Sequence, residues 1–142
     1  MFLNILVAYD GSPSARAAFD QAVDIARTYN SKLTVLTVAT PVSRFVAFAG
    51  TSGEQVQADV DSWAAEQAAE AVAEAPDDVI VHSIVRNGHA GPQIVQELET
   101  GGYDLVVLGS RGHGHLESEV LGSVNAYVHF HSRVAMLSID DV

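Results

Sequence analysis

The chain contains no cysteine and one lysine, Lys32, among 142 residues. The first absence excludes disulfides, thiolate metal sites and a cysteine nucleophile. The shortage of cations goes further: 7 Lys and Arg stand against 18 Asp and Glu, a formal charge of −11. A protein this acidic lacks the cations that neutralise phosphates, which argues against a general binder of nucleic acid or of anionic membranes. No apolar run approaches the roughly 18–20 residues that cross a bilayer, so membrane insertion is not expected. Met1-Phe2-Leu3-Asn4 has no basic region ahead of its apolar stretch. It reads as a first strand rather than a signal peptide, and a cytoplasmic protein is expected. What is present is ordinary for a globular chain: 48% hydrophobic residues, against intrinsic disorder. The length suits one domain over residues 1–142, enough to bury a sizeable core. The acidity itself has two readings: a common acidic protein, or one adapted to high salt, where repulsion between surface carboxylates is screened.

The apolar pattern divides the chain into alternating strands and helices. Asn4 to Tyr9 is a short continuous apolar run, as in a strand buried on both faces. Ser12 can cap the helix that follows, and Pro13 suits its first position. That helix carries Ala15, Ala18, Phe19, Ala22, Val23 and Ala26 on one stripe and should end near Asn30. Leu33 to Val38 is the second strand, and Ala39 to Gly53 is read as a loop with room for a lid or insertion. A long helix is predicted over Glu54 to Ala75, with Val56, Val60, Trp63, Ala64, Ala68, Ala71 and Val72 inward. Its other face carries Asp59, Glu66, Glu70 and Glu74, mostly four apart with no cation to pair them, which favours the high-salt reading.

Val79 to Val85 is the third strand, ended by Asn87-Gly88. Gly91-Pro92 opens a short helix with Ile94, Val95 and Leu98 inward, closed by Gly101-Gly102. Leu105 to Leu108 is the fourth strand, Gly109 to Gly114 a glycine-rich loop, Ser123 to Phe130 a helix, and Val134 to Ile139 the fifth strand. Strands alternating with helical crossovers predict a parallel sheet covered on both faces.

In such a sheet, ligands sit at the carboxyl ends of strands where the winding direction reverses. Two segments carry unusual residues there. Asp10-Gly11-Ser12 follows the first strand, and Gly109-Ser110-Arg111-Gly112-His113-Gly114 follows the fourth, with Gly122-Ser123 entering the last helix. Glycine lets backbone amides approach a phosphate, and a helix start adds unpaired N–H groups. The loop does not make a P-loop, because no Gly-Lys-Ser/Thr occurs. It does not complete a dinucleotide fingerprint either, since Glu117 stands where a glycine is required. From the residues alone, an anion cradle and plain turn chemistry both remain open. Asp10 likewise reads as a ligand or as a carboxylate serving the amides beyond Ser12.

The chain resembles the universal stress protein family over nearly its whole length. The resemblance rests on Val7-Ala8-Tyr9-Asp10-Gly11-Ser12, on Asp104 to Gly112 and on Leu121-Gly122-Ser123-Val124. Gly109, Gly112, Gly122 and Ser123 match the Gly-x2-Gly-x9-Gly-Ser spacing of the ATP-binding branch. The resemblance implies a five-stranded sheet of order 3-2-1-4-5 and a bound ATP or AMP, alone or with Mg²⁺. It implies that Asp10 bonds the nucleoside, with Ser12 beside it, that backbone at Val38 meets the adenine edge, and that Ala8 and Tyr9 border the pocket. Gly109, Ser110, Arg111 and Gly112 would line the ribose and phosphate path with His113, while Gly122, Ser123, Val124 and Asn125 hold phosphates. Similar proteins dimerise through the last strand, so a homodimer through Val134 to Ile139 is expected, serving a regulatory protein partner not named by the sequence.

Where the pattern departs, Glu117 and Glu119 lie between the glycines. They would repel a triphosphate unless they point outward or share Mg²⁺. The last strand also lacks the proline common in the family. His113-x-His115 has no third convergent ligand, so no metal site is expected. His129 and His131 read as helix-end cations, and Tyr9 and Trp63 as core. The favoured function is a stress-response sensor that binds adenine nucleotide and is not a fast catalyst, since neither a P-loop lysine nor a poised general base is visible. The alternatives are a slow ATP hydrolase and a nucleotide-free dimeric adaptor.

Overall fold

The computed structural model describes the backbone of residues 1–40, 53–110 and 114–140, with side chains described outside positions 53, 54, 56 and 114–122. Five strands, β1 (Asn4–Ala8), β2 (Lys32–Ala39), β3 (Val81–Asn87), β4 (Leu105–Gly109) and β5 (Ala135–Ile139), alternate with four helices. These are α1 (Pro13–Tyr29), α2 (Gly53–Glu74), α3 (Ala90–Gly101) and α4 (Gly114–His131). The strands form one parallel sheet in the order β3-β2-β1-β4-β5.

Alternation along each strand sorts the side chains into two cores. Ile5, Val7, Leu33, Val35, Leu105 and Val107 face α1 and α2, meeting Ala15, Ala18, Phe19, Ala22 and Ala71. Leu6, Leu36, Val106 and Leu108 face α3 and α4, meeting Ile94, Val95, Leu98, Val124 and Val128. Right-handed crossovers require this split: winding leftward from β1 through β2 to β3 puts two helices on one face, and winding rightward from β3 through β4 to β5 puts two on the other. The reversal falls between β1 and β4. Their spacing is fixed from below by Asp104, whose carboxylate accepts the amides of Leu3 at 2.9 Å and Asn4 at 3.1 Å. Asn4 returns the contact by donating Nδ2 to the carbonyls of Gly101 and Gly102. With the strand starts clasped in register, the strand ends emerge side by side.

The caps are those the sequence proposed. Ser12 Oγ accepts the Ala15 amide at 3.2 Å, Pro13 opens α1, and Asn30 closes it in a left-handed conformation. Gly102 does the same for α3 at φ 70°. Three expectations need correcting. Val72 is not inward: it is 38% exposed, one residue and hence about 100° round α2 from fully buried Ala71. β3 starts at Val81 rather than Val79 and includes Asn87. The largest difference is α4, which starts at Gly114 instead of Ser123. Gly122-Ser123 therefore lies inside the helix, eight to nine residues past its start, and does not open it. Glycine in a helix interior costs about 1 kcal/mol relative to alanine, less than the packing of a helix can override. Of the Ala39 to Gly53 loop, residues 41–52 lie outside the described residues, as does Val56's expected burial. No helix among the described residues is long and apolar enough to cross a membrane.

Candidate functional site

At the end of β1 the chain turns sharply into α1. The Asp10 carboxylate accepts the amide of Ser12 itself through Oδ1 at 2.9 Å, not the amides beyond Ser12 that the sequence suggested, and its Oδ2 has no partner among the described residues. Gly11 sits at φ 81°, where side chains are strained, and any side chain there would run into Gln67 of α2. Arg16 bonds the Gly11 carbonyl at 3.1 Å and pairs with Glu70 of α2 at 2.8 Å. The turn is thus held from both helices of its face.

Tyr9 belongs to that support. Its backbone amide donates to Leu36 and its carbonyl accepts from Thr37 Oγ1, which ties the ends of β1 and β2 together. Its ring is 2% exposed, packs edge-on against Phe19 with centroids 6.0 Å apart, and donates its hydroxyl to Glu70 at 3.1 Å. Burial, reinforced by the bonded Glu70 carboxylate, pushes the phenol up to about 12. The Tyr9 side chain is core, on the α1/α2 face. Ala8 and Val38 lie on the opposite face, packed against the core beneath α3 and α4.

Gly109 closes β4 against the start of α1. A Cβ placed on it would stand 2.6 Å from Ser14 Oγ, 2.7 Å from the Ser14 carbonyl carbon and 2.8 Å from the Ala15 amide nitrogen. The end of β4 thus lies against the first turn of α1, with no space for a side chain between them. Beyond it, Ser110 turns toward β5: its amide donates to Ile139 at 2.8 Å and its hydroxyl to Asp140 at 3.0 Å. Asn125 of α4 leans onto the same place, donating Nδ2 to the Gly109 carbonyl at 3.3 Å and to Ser138 Oγ at 3.4 Å. Its Oδ1 is buried without a hydrogen-bond partner.

The structure therefore gathers Asp10, Ser12, Gly109, Ser110 and Asn125 at neighbouring strand ends, with Ala8 and Val38 beneath. Val124 is buried in the core and Ser123 is exposed on α4. The Gly122 and Ser123 amides fall within the helix, where amides point at carbonyls four residues back. Arg111, Gly112 and His113 lie outside the described residues, as do the side chains of His115, Glu117 and Glu119. A groove of about 340 Å³ lined by Leu98, Glu99, His131, Ser132, Arg133 and Val134 sits elsewhere, where α3 and α4 end and β5 begins.

Sequence reasoning missed two supports. One is the hold of Glu70 on Tyr9 and Arg16 at the β1–α1 turn, since a carboxylate on an exposed-looking acidic face gave no hint of a partner. The other is a buried network on α3. Glu97 is 8% exposed, pairs with Arg86 of β3 at 2.8 Å and accepts the Tyr103 hydroxyl at 2.9 Å. Arg86 Nε also donates to Gln93 at 2.9 Å. Burial raises the Tyr103 phenol above its usual range. Glu97 stands within the apolar stripe of Ile94, Val95 and Leu98, and a carboxylate in that place was the available signal. The network anchors the β3–α3 turn, whose Gly88 amide donates to the Ala39 carbonyl next to Val38.

Comparison with known proteins places this geometry. A family model described as the universal stress protein family matches residues 1–139. The universal stress protein YxiE of Bacillus subtilis is 30% identical over 137 residues, covering 88% of this chain and 90% of the relative. Universal stress protein UspA from Lactobacillus plantarum superposes with a TM-score of 0.73 at 26% identity, covering 96% of this chain and 97% of its own. A universal stress protein family protein from Arabidopsis thaliana, solved with AMP bound, gives a TM-score of 0.72 at 20% identity over 97% of this chain and 91% of its own. A family match over nearly every residue, with a sheet of the same order, leaves one conclusion: the chain belongs to the universal stress protein family.

Proposed function

We propose that the protein binds an adenine nucleotide, ATP or AMP, at the carboxyl ends of β1 and β4, and works as a cytoplasmic stress-response sensor. The observation that carries this reading is the backbone contact of Gly109 with Ser14 and Ala15, beside the spare oxygen of Asp10, at the point where the sheet reverses direction. Bare backbone on one side and a fixed carboxylate on the other suit a nucleoside, whose base offers donors and acceptors along its edge and whose ribose offers hydroxyls. The AMP held by the Arabidopsis thaliana relative supports the same ligand class here.

In this reading Asp10 accepts from the nucleoside, the backbone at Val38 meets the base edge, and Ala8 lies under it. Gly109, Ser110, Arg111 and Gly112 carry the ribose and first phosphate, with His113 beyond. Because α4 already runs through Gly122, the phosphate contact from that stretch falls to the Ser123 hydroxyl rather than to amides. Mg²⁺ joins only a longer phosphate chain, near Glu117 and Glu119. β5 is an edge strand with half-buried Met136, Leu137 and Ile139, and pairing it with a second copy gives a two-fold dimer.

Thermal-shift titration tests the reading. A ligand at a hundred times its dissociation constant adds about 2.7 kcal/mol, a rise of roughly 5–10 °C for a chain of this size. AMP or ATP should produce that rise, and Asp10→Ala should reduce it. No shift at millimolar nucleotide, with or without Mg²⁺, favours the nucleotide-free adaptor instead.

A further inference from the structure

The sheet has two open edges, β5 and β3, and they are built differently. β5 spans five residues and has the charged Arg133 and Asp140 close to its two ends. β3 spans seven and runs in register with β2 from Val81 to Asn87 without a bulge. Two bonds show which of its backbone groups lie outside. The Ile80 carbonyl accepts from Leu33 and the Gly88 amide donates to Ala39, so even-numbered residues aim N–H and C=O at β2. Val81, Ser83, Val85 and Asn87 aim theirs outward, and no described strand pairs with them. Sheets guard such a row with charge, proline or a bulge. β3 has no proline and no carboxylate, and its one arginine, Arg86, is bonded to Gln93 and Glu97 of α3.

The helix above this edge is uncharged on the same side. α2 packs over β2 and β3, and Glu70 marks its side toward α1 by bonding Tyr9 and Arg16. Val72 lies about 200° round the helix from Glu70, on the flank away from α1 and toward the β3 edge. Ala65 and Ala69 share that flank, and all three are exposed. Glu66 and Glu74 stand about 120° and 200° from Val72, off the flank. Below it, Val85 is 40% exposed and shares the α2 face with Val81. A carboxylate stands at each end of this uncharged strip. Asp61, which accepts from the uncharged Gln57 amide, is about three turns before Val72 on the same flank. Asp77 is exposed in the turn that leads into β3.

We propose that the outer edge of β3 takes an extended segment of another protein as a sixth strand, its middle uncharged and alternating, its ends basic. Main-chain bonds to Val81, Ser83, Val85 and Asn87 would hold it. Val72 and Val85 would bury its apolar side chains, and Asp61 and Asp77 would meet its basic ends. A second copy fits badly, since it brings another charge of −11, whereas that same field draws a basic segment in. These residues are separate from the proposed nucleotide contacts, so the two proposals fail independently.

The test is amide hydrogen exchange, read by NMR on the isotope-labelled full chain. The probe is a peptide of alternating Val and Thr, long enough to span β3, with a pair of Lys at each end. In the free protein the outward amides of Ser83, Val85 and Asn87 should exchange rapidly, and saturating peptide should slow them about tenfold or more. The inward amides of His82 and Ile84 should stay slow throughout. The same peptide ending in Glu pairs should bind about tenfold more weakly in dilute buffer. Ser83→Pro deletes an outward N–H without touching the β2 ladder, and Val85→Lys puts a guarding charge on the edge. Each should weaken the Lys-ended peptide about tenfold, with slow exchange at His82 and Ile84 showing that the sheet is intact. No protection of the outward amides at millimolar peptide, equal binding of the two peptides, or binding that survives both variants overturns the proposal. Protection of those amides on raising the protein concentration alone makes a second copy the occupant and overturns it as well.

Discussion

Gly109→Ala adds one methyl group at the place where two distant parts of the chain meet. Its Cβ would lie 2.6–2.8 Å from Ser14 Oγ, the Ser14 carbonyl carbon and the Ala15 nitrogen. Comfortable contact begins near 3.4 Å, so the first turn of α1 must retreat by about 0.6–0.7 Å from its backbone contacts. Rotating a side chain relieves only the Ser14 Oγ contact, because the other two atoms are main chain. The turn cannot yield freely: Ser14 is fully buried, Ala15 is 3% exposed, and the Ser12 cap and Pro13 fix its start. Overpacking of this kind costs about 1–3 kcal/mol, and backbone against backbone puts it in the upper half. The control is Gly102→Ala, which keeps a left-handed φ of 70° but meets nothing within 4 Å. That change carries the conformational penalty alone, about 1 kcal/mol. Urea unfolding of the two variants should therefore show unchanged slopes and a larger loss for Gly109→Ala. If Gly109→Ala costs less than Gly102→Ala, the strand end and the helix start are not in contact and the proposed slot has no wall.

Three further outcomes follow from other parts of the molecule. Glu97→Leu strands Arg86 and the Tyr103 hydroxyl in a largely buried setting, and should destabilise by about 2–4 kcal/mol in chemical denaturation; the triple change with Arg86→Met and Tyr103→Phe should recover most of it, and no recovery would show that the network is not a unit. The Tyr9 phenol ionises near 12 when folded and near 10 when unfolded, so the unfolded chain holds fewer protons between those values. Stability should be full below pH 10 and fall by roughly 2–3 kcal/mol toward pH 12, a slope that Tyr9→Phe should lack; an identical slope in both proteins contradicts the burial argument. Asp59, Glu66 and Glu74 lie exposed on α2, and the chain carries a charge of −11. Screening should raise the melting temperature in molar KCl above that in dilute buffer, and an unchanged or lower value would remove the case for adaptation to high salt.

The sheet was legible because each strand announces itself twice: a short apolar run such as Leu105-Val106-Val107-Leu108, and a turn residue such as Asp10 or Gly88 that stops it. Helix caps at Ser12 and Asn30 were legible for the same reason, since capping is chemistry between neighbours in sequence. The start of α4 was not. Gly122-Ser123 has the composition of a helix entrance, yet Val124 and Val128 just beyond it are buried in the core, and tertiary packing decides such conflicts over local preference. At the site, Asp10 and Gly109 could be named from their motifs. The orphaned oxygen of Asn125 could not, because its state depends on which partner takes Nδ2, and Ser138 is thirteen residues away on another element. The grip of Glu70 on both Tyr9 and Arg16 escaped for a like reason: sequence spacing along α2 shows only repulsion, while its relief comes from β1 and α1.

The claim on which the rest depends is that adenosine ligands enter where β1 and β4 end, and the most direct measurement of it is an amide NMR titration of the intact protein with AMP. Saturable shifts should concentrate at Asp10, Ser12, Val38, Gly109 and Ser110, with the groove residues Leu98, Ser132 and Val134 unmoved. Shifts confined to that groove, or none at millimolar AMP, would contradict it.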